Sequence, residues 1–206
     1  DYGYDRARAA VRSTLERLDC GHLDLLLLHQ PVGDVAGAWR ALEEAVDSGD
    51  VRAIGVSNFT VADLEKLLPG ARMTPVVDQV ELHPHWQQPE LIPYLERQGI
   101  VAEAWYPLGH GSHALVAEPV IVAAAAAHRK SAVQVILRWH VQRGFVAIPK
   151  STNPAHIAAN LDVFDFQLTE AEMAAIDALG KEHSMFRMPR WLMSVGMPLM
   201  RPRPLP

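Results

Sequence analysis

Cysteine is almost absent from this 206-residue sequence. Cys20 is the only one, so no disulfide can form within the chain, which fits a reducing compartment such as the cytoplasm. Any block of basic residues is lacking as well. Lys and Arg number 19 against 24 Asp and Glu, a formal net charge of −5, and the electrostatic footprint of a nucleic-acid binder is missing. No apolar run approaches the roughly 18 residues of a membrane span, and Asp1-Tyr2-Gly3-Tyr4-Asp5 lacks the charged-then-apolar order of a signal peptide. Neither nucleic acid nor membrane is therefore an expected partner. The glycine-rich dinucleotide fingerprint is absent too. Gly109-His110-Gly111 has no third glycine in place, which argues against a classical Rossmann fold. An initiator methionine is also missing, which leaves room for the chain to be the remainder of a longer one.

What is present has the balance of an ordinary globular chain, with 49% hydrophobic and 21% charged residues. Five short apolar runs recur: Leu23 to His29, Val51 to Ser57, Val76 to Leu82, Ile100 to Tyr106, and Phe145 to Pro149. Most are continuous Leu, Val, Ile and Ala rather than alternating, the pattern of strands buried on both faces of a parallel sheet. Helical patterns lie between them, as parallel pairing requires. Val35, Ala38, Trp39, Leu42 and Val46 share one helical face, with Gly49 as the stop. Pro119 can open an alanine-rich helix, Ser131 with Gln134 has capping-box spacing, and Gly144 can end the helix that follows. Ala7, Val11, Leu15 and Leu18 mark a leading helix. Thr169 with Glu172 caps another, which Gly180 ends. The periodicity then fails, so residues 1–180 are expected to form one domain and 181–206 a loop or tail.

Repeated βα units suit an open doubly wound sheet or a (β/α)8 barrel. Five strands are too few to close a barrel of eight. The expectation is an α/β chain, and if it is a TIM barrel, a partial one carrying strands 4 to 8 without the first three.

In parallel α/β folds the chemistry sits at the carboxyl ends of the strands. Those ends carry His29, Ser57-Asn58, Gln79 with Glu81 and His83, Trp105-Tyr106, and Lys150-Ser151. His29 is either a hydrogen-bonded core imidazole or a donor to a substrate carbonyl. Ser57 and Asn58 either close a turn or, with Gln79, satisfy a carboxamide, which offers one acceptor and two donors. Trp105 is core or a flat platform for a heteroaromatic ring. Asn153 as an N-cap and Pro154 as a first helical residue aim free N–H groups toward Lys150, Ser151 and Thr152. That arrangement is an anion site or an unoccupied capped helix.

Taken together these segments resemble the aldo-keto reductases over nearly the whole stretch from Asp1 to Leu179. The resemblance is carried by Leu23-Asp24-Leu25 through His29-Gln30-Pro31, Gly55-Val56-Ser57-Asn58-Phe59, and Asp78-Gln79-Val80-Glu81-Leu82-His83-Pro84. Ala104-Trp105-Tyr106-Pro107-Leu108-Gly109, Ile148-Pro149-Lys150-Ser151 and Asn160-Leu161-Asp162-Val163-Phe164 complete it. It implies a (β/α)8 barrel that binds NADPH and reduces a small carbonyl substrate, aldehyde or ketone, by hydride transfer, as a monomer when complete. It also implies that His29 orients the carbonyl, that Ser57, Asn58 and Gln79 hold the nicotinamide carboxamide, and that Trp105 stacks on the ring. Tyr106 and Leu108 would flank the pyrophosphate, Tyr106 where many members have serine. Lys150, Ser151 and Thr152 would meet the 2′-phosphate, and Asn160 the adenine.

His156 stands where the family usually has an arginine, and a largely neutral imidazole grips a phosphate less well than a guanidinium. NADH use is therefore expected to be possible. The family's catalytic tyrosine, aspartate and lysine belong to a segment that would precede Asp1, so the chain alone is expected to be inactive. Two other functions compete. His83-Pro84-His85 imitates the two-histidine clamp of a metal-dependent hydrolase, with His29 and Glu81 as further ligands. A non-catalytic nucleotide-binding barrel, acting as a sensor or channel-associated subunit, shares the fold without the chemistry.

Overall fold

The computed structural model describes residues 3–180 and Ser184. They belong to two compact units, one reaching to Val76 and one beginning at Val77.

The first unit runs α1 (Tyr4–Leu18), β1 (Leu23–Leu28), α2 (Val35–Asp47), β2 (Val51–Ser57) and α3 (Val61–Leu67). β1 and β2 pair in parallel, Leu23 opposite Val51 and Leu28 opposite Val56, so α2 is the crossover that two strands of one direction need. Its start is set by Asp34, whose carboxylate accepts the Gly37 N–H at 2.8 Å. A Cβ at position 37 would lie 2.1 Å from that carboxylate, which explains the glycine. Ala38, Trp39, Ala41, Leu42 and Ala45 bury the inner face of α2. The Trp39 indole N–H donates to the Met73 carbonyl at 3.1 Å, and the Glu43 carboxylate accepts the N–H groups of Arg72 and Met73 at 2.6 and 2.9 Å. Buried α2 thereby holds the segment that follows α3. On α1, Ala7 and Val11 are buried while Leu18 is exposed. The apolar face expected of this helix therefore stops short of its last turn.

The second unit runs β3 (Val77–Glu81), α4 (Leu91–Gln98), β4 (Val101–Trp105), α5 (His113–Val116), α6 (Pro119–His128), α7 (Ala132–Gln142), β5 (Val146–Ala147), α8 (Pro154–Leu161) and α9 (Glu170–Asp177). β3 and β4 pair in parallel with Val77 opposite Val101, Gln79 opposite Glu103 and Glu81 opposite Trp105. β4 pairs in turn with β5, Glu103 opposite Val146. The helix starts match the sequence. Pro119 opens α6, Ser131 and Gln134 form a reciprocal capping box on α7, Asn153 caps α8 ahead of Pro154, and Thr169 with Glu172 boxes α9. Asp177 ties α9 to α7, accepting the Trp139 indole N–H at 2.8 Å and an Arg143 guanidinium N–H at 2.7 Å.

Two sequence expectations change. The last strand is two residues rather than five. The Ile148 N–H still donates to Ala104 at 3.1 Å, and Pro149 has no N–H with which to continue. Burial on both faces holds through β3, the second half of β2 and the middle of β4, but not at every strand position. Ile54, Val56, Val80, Ala102 and Ala104 are buried, whereas Leu25, Val101, Val146 and Ile148 are 39 to 50% exposed. The tail expected at 181–206 lies outside the described residues, apart from Ser184.

No single helix among the described residues is long and apolar enough to cross a membrane. One buried group sets an acid limit on the second unit. His140 is completely buried on α7, its ring nitrogens 2.8 Å from the Ile136 carbonyl and 3.0 Å from that of Leu82. Burial lowers its pKa from 6.5 to about 4, against the pull of the two carbonyls toward the protonated form. Above pH 6.5 the ring is neutral whether the chain is folded or not. Between pH 6.5 and 4 the unfolded chain takes up a proton that the folded chain refuses, so folding stability falls by about 3 kcal/mol across that window. Urea titrations over this range should show His140→Gln less stable than the parent at pH 7 but with a shallower acid decline. Parallel declines would assign the loss elsewhere.

Candidate functional site

Each unit gathers polar side chains at the carboxyl ends of its own strands. In the first, β1 ends at Leu28 and releases an exposed His29, while β2 ends on Ser57, which is 1% exposed, followed by Asn58. Asn58 has a φ of 61°, a left-handed conformation that asparagine adopts more readily than most residues. Its side-chain amide donates to the His29 carbonyl oxygen at 3.3 Å and to the Ser57 hydroxyl at 3.1 Å. The turn and the side-chain cluster are thus one object. The two alternatives left open by the sequence for Ser57 and Asn58 are not exclusive.

In the second unit the parallel register puts Gln79 beside Glu103, and Glu81 beside Trp105. Residues two apart on a strand share a face, so Gln79, Glu81, Glu103 and Trp105 all rise from one side of the β3–β4 pair. The Gln79 amide nitrogen donates to the Glu103 carboxylate. Glu103 is 8% exposed and Glu81 is 4% exposed, so two carboxylates are sunk on this face, and Asp78, 0% exposed, is a third on the other face of β3. The Ser184 hydroxyl donates to Glu81. Trp105 is half-buried at the end of β4. Tyr106, at a φ of 50°, sets its ring edge against Trp105 at 5.0 Å and against His110 at 4.5 Å. The tyrosine found where a serine is usual therefore packs its ring on neighbouring aromatics, and its carbonyl accepts the Gly109 N–H at 2.8 Å. Leu108 is half-buried, its carbonyl accepting from Gly111 at 3.2 Å.

Beyond β5, Lys150 is exposed and forms no ion pair among the described residues. The Asn153 N–H donates to the Ser151 hydroxyl at 3.2 Å, and the Asn153 side chain accepts the Ala155 N–H at 2.9 Å, fixing the start of α8. Lys150, Ser151 and Asn160 line one groove together with Phe145, Pro149 and Ile157. Thr152 and His156 are exposed outside that lining.

The imitation of a metal clamp dissolves in the structure. His83 is 1% exposed, its Nε2 3.3 Å from Glu81, while His85 Nε2 lies 2.6 Å from Glu118. Each imidazole serves a different carboxylate, and the rings are 6.5 Å apart at 74°. Among the described residues no three His, Cys, Asp or Glu side chains cluster in a way that could hold a metal ion.

Glu103 is the residue that sequence reading missed. A lone Glu between two alanines in an apolar run was the available signal, since a buried carboxylate needs a donor.

The Aldo/keto reductase family model matches residues 1–181. Morphine 6-dehydrogenase of Pseudomonas putida is 46% identical over 194 residues, covering 87% of this chain and 65% of its own length. Glyoxal reductase of Bacillus subtilis is 48% identical over 183 residues, covering 88% and 66%. A crystal structure of a Gox0644 mutant in complex with NADPH superposes with a TM-score of 0.84 at 40% identity, covering 87% of this chain and 67% of that one. The chain thus spans about 65% of the length of the curated relatives it matches. The match runs through both units without interruption, and on that ground the chain belongs to the aldo/keto reductase family.

Proposed function

We propose that the chain holds the nicotinamide cofactor of an NADPH-dependent carbonyl reductase. In this proposal β1 to β5 take the places of strands 4 to 8 of a (β/α)8 barrel, and residues 1–180 form one domain. The observation that carries the proposal is the shared face of Gln79 and Trp105 at the carboxyl ends of β3 and β4. An amide that can pair with a carboxamide stands there beside an indole that can lie against a planar ring.

The donor set suits such a cofactor. Ser57 and Asn58 supply a hydroxyl and an amide already hydrogen-bonded to each other, so little ordering is left for the moment of binding. The half-exposed Trp105 indole is braced by Tyr106, the two rings meeting at 72°. At the other end of the dinucleotide, Lys150 brings an unpaired positive charge to the N-terminal side of α8, whose partial positive charge favours a phosphate. When bound, the cofactor supplies the hydride. His29, held at the end of β1 by the Asn58 bond to its carbonyl, donates a ring N–H to the substrate carbonyl oxygen and so orients that group. The substrate is a small aldehyde or ketone. His156, exposed in the first turn of α8, contributes less to phosphate binding than an arginine would, so NADH is accepted as well, more weakly.

Two substitutions test this with fluorescence titrations of the 206-residue chain. Lys150→Ala should weaken NADPH about tenfold or more through loss of a charge-assisted contact, and leave NADH nearly unchanged. Equal losses for both would remove Lys150 from the 2′-phosphate. Trp105→Ala should raise both dissociation constants alike, by about 1 to 3 kcal/mol of lost stacking and burial. An unchanged constant would take Trp105 out of the site.

A further inference from the structure

A glutamine amide has two nearly isosteric branches, and its terminal torsion is broadly two-fold. A site that relies on glutamine to recognise a carboxamide therefore has to settle which branch points at the ligand. In the second unit that choice is made by Glu103. Its carboxylate can only accept hydrogen bonds, so the branch of Gln79 that faces it must be the amino group. The carbonyl oxygen there would set lone pairs against lone pairs. The parallel register places the two residues directly opposite one another on β3 and β4. Glu103 is buried, which strengthens a charge-assisted bond and raises the cost of leaving its charge without a donor.

We propose that Glu103 is a positioning residue: by holding the amino branch of Gln79, it turns the Gln79 oxygen toward the ligand. The site then requires a donor from whatever group it meets there, and so selects a primary carboxamide over a ketone of the same shape. This deepens the proposed function and rests on its placement of Gln79 at the nicotinamide carboxamide. The effect is specificity rather than fold, because the pair decides which hydrogen-bonding pattern is presented and not merely whether β3 and β4 pack.

The test is a binding ratio on the full 206-residue chain. NADP+ is compared with its 3-acetylpyridine analogue, in which a methyl ketone replaces the carboxamide and no N–H remains. The parent should prefer NADP+ by about tenfold. Glu103→Met, of similar volume and with no strong acceptor, lets Gln79 rotate and donate to the ketone, so the ratio should approach one. Glu103→Gln can either accept from Gln79 or donate to it, and its ratio should fall between the two. It also serves as the deciding variant if circular dichroism shows that Glu103→Met does not fold. A ratio unchanged in the folded variants overturns the role of Glu103 while leaving the cofactor site standing. Failure of the parent to bind NADP+ at all overturns both.

Discussion

Parallel strand pairing is the constraint from which the rest of the chemistry in each unit descends. Strands of one direction deliver their carboxyl ends to one side, and their register decides which side chains stand next to each other there. In the first unit the pairing of Leu28 with Val56 brings the residues just beyond them, His29, Ser57 and Asn58, within hydrogen-bonding reach. In the second, the pairing of Gln79 with Glu103 does the same for two residues 24 positions apart. A slip of one residue on β4 would send Glu103 to the face where Ala102 and Ala104 are now buried. A carboxylate buried without a donor costs several kcal/mol, so the Gln79–Glu103 bond favours the observed register.

The two faces of the strands divide the labour. In each unit one face of the strands is mainly apolar, with Ile54 and Val56 in the first and Val80, Ala102 and Ala104 beside buried Asp78 in the second. The opposite face mixes Gln79, Glu81, Glu103 and Trp105 with exposed Leu25, Val101, Val146 and Ile148. Polar groups there are held by specific partners rather than by solvent. Gln79 has Glu103, and Glu81 has both Ser184 and His83. Such partnering is what makes a set of buried polar side chains rigid enough to recognise a ligand.

Local signals were legible in the sequence to the degree that their chemistry is local. The capping boxes at Ser131 and Thr169, the Asn153-Pro154 start and the proline that opens α6 depend on contacts three or fewer residues apart, and all stand where the spacing put them. The polar strand ends were also readable, because the alternation of apolar run and polar terminus is a one-dimensional pattern. What depends on distant neighbours was not. Leu25 and Leu18 look as apolar as Leu28, yet only Leu28 is covered, and coverage is a property of what lies opposite. The length of β5 depended on whether Pro149 could pair, which the resemblance of Phe145 to Pro149 to the other apolar runs concealed. Glu103 was invisible for the same reason. Its meaning comes from Gln79, and only the register of β3 against β4 joins them.

The two ends of the proposed cofactor site are built on different physics, and the difference bears on which end can vary. At the nicotinamide end the ligand-facing groups are neutral donors and acceptors already paired within the protein, Asn58 with Ser57 and Gln79 with the Glu103 carboxylate. Changing one member leaves another unsatisfied in a buried place, so that end resists substitution. At the phosphate end Lys150 and His156 are exposed, with no ion pair among the described residues to hold them in one geometry. Their contribution is charge at a helix N-terminus, which water and salt attenuate and which a neighbouring cation can replace. A histidine in place of arginine is tolerable there because the loss is graded, a fraction of a charge rather than a broken network. Under the proposed function, cofactor preference is for that reason the property most open to drift, while the groups proposed to meet the carboxamide are anchored by the strands themselves.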